Sequence, residues 1–223
     1  MKSKKSLAAA AALACGLACG SYAFAADGAQ PSNYFGVQGG INDLRGTWNA
    51  DVSLGPGVSL PGQVGLKRGH EFGLFGGRQT ENWRFEGEYQ HGTFDITNIQ
   101  LGPVSEPHSA SGSYDALTAN AYRTGRLTQG LTAYGGLGLG WGRVKLPQMG
   151  FASTGCNCFA DSSKSGFAWL ARAGLEYAIT PNDNVFAQYT YLGLPRPESG
   201  GAPGVQYERR NVGSIGIGYR RTF

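Results

Sequence analysis

Seven charged residues sit at alternating positions of otherwise apolar or small-residue runs, where a charge needs a partner. Arg84, Glu86 and Glu88 alternate within NWRFEGEYQH. Arg172 and Glu176 do the same further along, and Glu71 and Arg220 belong to two more such runs. Four carboxylates and three guanidiniums on one face can line a narrow pore, or they can pair and fill it. Two other constellations could do chemistry. Cys156-Asn157-Cys158 spaces two thiols one residue apart. They could form a loop disulfide, stay as free or intermolecular thiols, or supply half of a metal site. No His lies nearby, and two thiolates alone rarely hold a structural metal. His91 and Ser113, with His108, Ser109 and Ser111 between them, could form a His-activated hydroxyl that cleaves an acyl chain. No clear orienting acid accompanies them. The run GGLGLGWG, Gly135–Gly142, lacks the G-x-G-x-x-G spacing of a phosphate loop, and its glycines recur every second residue as on a strand. No catalytic residue, cofactor-binding residue or metal ligand set is expected.

The elements that position these residues follow from period 2. In Asn82–His91, Trp83, Phe85, Gly87 and Tyr89 alternate with Arg84, Glu86, Glu88 and Gln90. One face is apolar and the other wholly polar, the signature of a half-buried strand. Phe167–Ala178 puts Phe167, Trp169, Ala171, Ala173, Leu175 and Tyr177 on one face and Arg172 and Glu176 on the other. The same rhythm runs through Tyr34–Asn42, His70–Arg78, Tyr114–Arg123, Leu131–Gly142, Val185–Leu192 and Val212–Thr222. That gives eight segments of about the ten residues that a tilted membrane strand needs. Long connections (43–69, 92–113, 143–166 and 193–211) alternate with short turns after Arg78, Arg123 and Ala178. Membrane barrels alternate in this way, with long loops outside and short turns in the periplasm, and an even strand count returns both termini to the periplasm.

Period 2 does not say which face points inward, and a soluble barrel would put the apolar face inside. Three features favour apolar-out. Leu137, Leu139 and Trp141 oppose a column of Gly136, Gly138, Gly140 and Gly142, and small residues suit a crowded narrow interior. Aromatics sort to strand ends as interfacial girdles do: Trp83, Tyr177, Tyr219 and Phe223 at one rim, Tyr89, Trp141, Phe167, Trp169 and Tyr191 at the other. The charged face carries both signs in near balance, so its members can pair.

Composition agrees. Of 223 residues 37 are Gly, aromatics make up 12% and charged residues 15%. The glycines show no collagen-like period, and the aromatics are too frequent for a disordered chain. Lys2, Lys4 and Lys5, then the apolar run from Leu7 to Ala18, then Ala23-Phe24-Ala25 read as a cleaved export signal over residues 1–25. Residues 26–33 form a short lead-in and 34–223 the barrel domain. Export removes Cys15 and Cys19 and leaves one pair of cysteines in an oxidising compartment. It also removes three of the 19 basic residues and none of the 15 acidic ones, so most of the formal charge of +4 belongs to the signal. No stretch of 18 apolar residues marks a transmembrane helix.

The run GLEYAITPNDNVFAQYTYLG, Gly174–Gly193, and the last strand SIGIGYRRTF resemble the small eight-stranded outer-membrane β-barrel proteins. This is the group of the opacity-type surface proteins and the transmembrane domain of OmpA. The resemblance covers nearly all of Tyr34–Phe223. It implies an all-β, eight-stranded, antiparallel, transmembrane up-and-down barrel in the cell outer membrane, without cofactor. It implies outer-membrane lipid and lipopolysaccharide as surroundings, and a C-terminal signal, Tyr219 and Phe223, read by the barrel-assembly machinery. Arg221 departs from that signal, where an apolar or aromatic residue is usual.

The expected function is that of a non-enzymatic surface or structural protein. It supports envelope integrity and presents mobile loops, rich in Pro, Ser and Gly, to a host or surface ligand. A narrow porin-like channel is the alternative, and a lipid A-modifying enzyme a third reading. Nothing points to nucleic acid.

Overall fold

The computed structural model describes residues 32–55, 57–199 and 204–223. The export signal and residues 26–31 of the lead-in lie outside the described residues. Among the described residues fourteen strands are formed. In chain order they are β1 (Ser32–Asp43), β2 (Gly46–Gly55), β3 (Val58–Leu66), β4 (Gly69–Thr80), β5 (Trp83–Leu101), β6 (Val104–Thr128) and β7 (Leu131–Leu146). They continue with β8 (Met149–Phe151), β9 (Cys156–Phe159), β10 (Ser162–Ala178), β11 (Asp183–Gly193), β12 (Glu198–Ser199), β13 (Gly204–Tyr207) and β14 (Asn211–Thr222). The eight runs of the sequence reading are β1, β4, β5, β6, β7, β10, β11 and β14. Each pairs antiparallel with the next, and β14 pairs back onto β1, from Tyr34↔Thr222 to Asp43↔Gly213. The ladder therefore has no free edge within the ring, the condition for crossing lipid with strands.

The faces sort apolar-out. Leu117, Leu137, Leu139, Ile215 and Ile217 stand outward, Ile217 at 70% exposure, while Arg84, Glu88 and Arg172 are buried inside. An apolar band of this extent is stable only against lipid. The interior is narrow, and five inward rings each lie across a strand pair from a glycine: Phe75 from Gly36, Tyr114 from Gly92, Phe94 from Gly112, Tyr134 from Gly174 and Phe186 from Gly218. A methyl group at any of the five would run into the ring.

The long connections differ from the expected loops. β5 does not stop at His91. Its inward face continues from Gln90 through Gly92 to Phe94 and Ile96, changing from polar to apolar on the way. It turns into β6 through Gly102, at φ 56°, and Pro103. The first connection folds as the β2–β3 hairpin, which pairs with the upper part of β5 and, on its other edge, with β13 of the last connection. The third connection holds the separate β8–β9 hairpin. These parts bury one apolar cluster above the ring, with Trp48, Val52, Val64, Ile96, Ile99, Met149, Phe159, Leu192 and Tyr207 at its centre. The Trp48 indole donates to the Glu208 carbonyl at 2.7 Å and packs 5.3 Å from the Tyr207 ring, which joins the first connection to the last.

Candidate functional site: the filled lumen and its cap

The seven charged residues point into the barrel and are all buried. They form two knots. In the knot nearer the short turns, Glu176 accepts from Arg84 Nη2 at 2.9 Å and from Arg220 through Nε at 3.1 Å and Nη2 at 2.5 Å. Both guanidiniums lie over the Tyr34 ring, at 5.6 and 4.9 Å. The second knot is a parallel fork. Arg172 donates Nη1 to Glu88 Oε2 at 2.7 Å and Nη2 to Oε1 at 2.8 Å, while its Nε donates to Thr190 Oγ1 at 2.9 Å. Glu88 also accepts from Gln38 and Asn120, each at 2.8 Å. Glu86 lies between the knots, accepting from Tyr34 at 3.2 Å with Arg172 Nη1 3.7 Å away. Glu71 stands apart, nearer the cap, and takes the Tyr114 hydroxyl at 2.7 Å.

Fork geometry of this kind gives strong charge-assisted hydrogen bonds, and the low dielectric raises the cost of leaving any member unpaired. Two rings of the chain add walls: Tyr122 and Tyr134 meet edge-on at 5.8 Å, and Tyr134 lies under Arg84 at 4.9 Å. The space left between Gln38, Glu86, Tyr122, Arg172 and Gln188 is about that of one water molecule. Above it sits the apolar cap. Polar plug and apolar cap are stacked in series along one interior. The cap is the part that strand-by-strand reading missed. Its signal is present in the alternation Trp48, Ala50, Val52 and in the continuation of the β5 face to Phe94 and Ile96.

The other candidate residues fall outside the lumen. Cys156 and Cys158 are joined as a disulfide at the start of β9, their Cα atoms 5.3 Å apart. Tyr219 faces outward and donates to Asp183, and Phe223 packs 6.2 Å from Phe35 at the turn end. His91 is paired across the ladder with Asp115, and Ser113 with Thr93. A register that set Arg84 against Asn120 would place His91 opposite Ser113. The observed register sets Arg84 against Tyr122 instead. A slide of two residues preserves every face, so alternation alone does not distinguish the registers. His91 Nδ1 lies 2.8 Å from Asp115 Oδ1, which also accepts from Tyr89 at 2.8 Å. An acid partner for His91 exists, but among the described residues no hydroxyl hydrogen-bonds this imidazole. No cluster of His, Cys, Asp and Glu among the described residues could hold a metal ion.

No curated protein matches the chain in sequence. Solved structures match it in fold. Neisserial surface protein A is 17% identical, with 87% of this chain and 100% of that one covered, at a TM-score of 0.53. The outer membrane protein OprG of Pseudomonas aeruginosa is 13% identical, with 86% and 96% covered, at 0.61. The likeness to both is one of fold. The family model for the outer membrane protein beta-barrel domain matches residues 10–222, and this chain, a protein of the outer membrane, belongs to that family.

Proposed function

We propose that the protein is a non-enzymatic structural and surface component of the outer membrane. It contributes to envelope integrity and presents its folded cap for interaction or adhesion. The observation that carries this reading is the closure of the lumen twice over. Arg84, Glu88, Arg172, Glu176 and Arg220 satisfy one another instead of lining an open path, and the apolar cluster from Trp48 to Tyr207 covers them. An eight-stranded ring has an interior just wide enough for side chains to fill. The cap is then the large surface offered to the exterior, and a host or surface ligand would be met there.

Lipid contacts follow from the same placement. Arg143 and Lys145 face outward on β7 just beyond Trp141, where they would meet lipopolysaccharide phosphates. Tyr219 and Phe223 would be read by the barrel-assembly machinery. The test is electrical. Purified protein in planar bilayers is expected to give little or no single-channel conductance. Stable conductance in the nanosiemens range would establish the porin-like alternative instead.

A further inference from the structure

At the periplasmic end the outward face carries an uneven charge. Arg78 on β4 and Arg123 on β6 are exposed on it, and among the described residues neither pairs with a carboxylate. Several other arginines of the barrel strands are matched, Arg84 and Arg220 by Glu176, Arg172 by Glu88, and Arg221 at this same rim by Asp183, whereas Arg143 at the opposite rim bonds only Ser163. Glu81, in the turn between β4 and β5, is the acid nearest in sequence to Arg78 and makes no ion pair with either arginine. The arginines frame an aromatic plate. Trp83 and Phe85 stack at 6.2 Å with 14° between their planes, and the Arg123 guanidinium lies 5.4 Å from the Trp83 ring. Arg123 is opposite Trp83 on one side, and Arg78 is opposite Phe85 on the other. Trp83 is the first residue after the turn, so the plate stands where acyl chains give way to headgroups.

We propose that Arg78, Arg123 and the Trp83–Phe85 plate form a binding site for the headgroup of an anionic phospholipid in the periplasmic leaflet. Neighbouring strands lie about 4.8 Å apart, so the backbones of β4 and β6 run about 10 Å apart on either side of β5, within reach of two long arginine side chains converging on one phosphate diester. Guanidiniums bind phosphate oxygens in a fork, and the apolar plate receives the glycerol and upper acyl carbons. A zwitterionic headgroup brings its own cation to this arginine pair and is disfavoured.

The experiment reads Trp83 fluorescence. In a W141F/W169F background the remaining indoles are Trp83 and Trp48, the latter sealed in the cap at 5% exposure. The protein is reconstituted into phosphatidylcholine vesicles containing a minority of brominated phosphatidylglycerol, or of brominated phosphatidylcholine. Brominated phosphatidylglycerol is expected to quench at an apparent affinity higher by about fivefold for each arginine engaged. R78Q and R123Q should each lower that preference and together remove it, while R143Q, at the opposite rim, leaves it intact. Equal quenching by the two lipids, a preference that survives R78Q/R123Q, or its equal loss in R143Q would each overturn the proposal. A heat-modifiable band on gels confirms that each variant is a folded barrel.

Discussion

Arg172 and Glu88 meet through two parallel hydrogen bonds of 2.7 and 2.8 Å on strands that are far apart in the chain, with neither side chain open to solvent. The fork crosses the lumen and ties β5 to β10, which are not ladder neighbours. It holds the barrel's cross-section closed, while the ladders hold its wall.

Breaking the fork on one side should be worse than removing it. Glu88→Gln leaves the buried Arg172 guanidinium without its forked partner and with only the Glu86 carboxylate 3.7 Å away, and a loss of about 3 kcal/mol is expected from urea unfolding in lipid vesicles. The double variant E88M/R172M should lose clearly less than the sum of the two single changes, because neither member of the fork is left facing the gap of the other, and Glu86 keeps its bond from Tyr34. Additive losses would mean that the two groups are stabilised independently.

The glycine–ring pairs make a second, steric prediction. The three atoms nearest a Cβ added at Gly112 are all carbons of the Phe94 ring. Gly112→Ala should therefore destabilise the barrel by about 1–3 kcal/mol through overpacking. Phe94→Leu in the same chain should recover part of that loss, although Phe94→Leu alone is destabilising. A double-mutant cycle showing no coupling would dismiss the contact.

These two features also mark how far the sequence could be read. The eight membrane strands were legible because lipid outside and paired charge inside impose contrasting chemistry on alternate residues, as in Trp83–Gln90. Apolar-out followed from the Gly column opposite Leu137, Leu139 and Trp141. The cap was not legible, for identifiable reasons. Pro61 and Pro107 argue against strands, yet Pro61 sits in β3 and its carbonyl accepts from Gly102 N at 3.0 Å. Pro107 sits in β6, beside the shift in its register with β5. Both are placements that tolerate a missing N–H. The inward face of β5 turns from charged to apolar past Gly92, so a search for one repeating contrast ends the strand too early. The partner of Arg172 was legible only as a set of candidates, because long-range pairing across the lumen depends on shear, which alternation does not encode.

The Cys156–Cys158 pair predicts a chemical count. Protein denatured without reductant should show no free thiol, and two after reduction. The closed loop is minimal, so the entropic gain is small. C156S/C158S should unfold at nearly the same urea concentration as the parent and keep its heat-modifiable band. Two titratable thiols before reduction would remove the disulfide from the structure.

The last prediction concerns the β8–β9 hairpin, which has no backbone ladder to the main sheet. Its turn is held instead by Glu106, in the part of β6 that rises above the membrane. The carboxylate accepts the Ser153 N–H at 3.1 Å and the Ala152 N–H at 2.8 Å. Hydrogen bonding from Ser153, helped by Ala152, outweighs the opposing effect of desolvation and holds this carboxyl below the ordinary glutamate value of 4.5. The sign follows. The charged form is favoured by folding, so the contact is fully present above the ordinary value and is lost as the pH falls through the depressed one. Amide exchange should therefore show Ala152 and Ser153 protected at neutral pH, with protection falling only below pH 4.5. Glu106→Ala should abolish the protection at neutral pH and flatten its pH dependence, while the amides of β10 stay protected. Protection in the parent that holds unchanged in strong acid would mean that the apolar contacts of Met149, Phe151 and Phe159 seat the hairpin without the carboxylate.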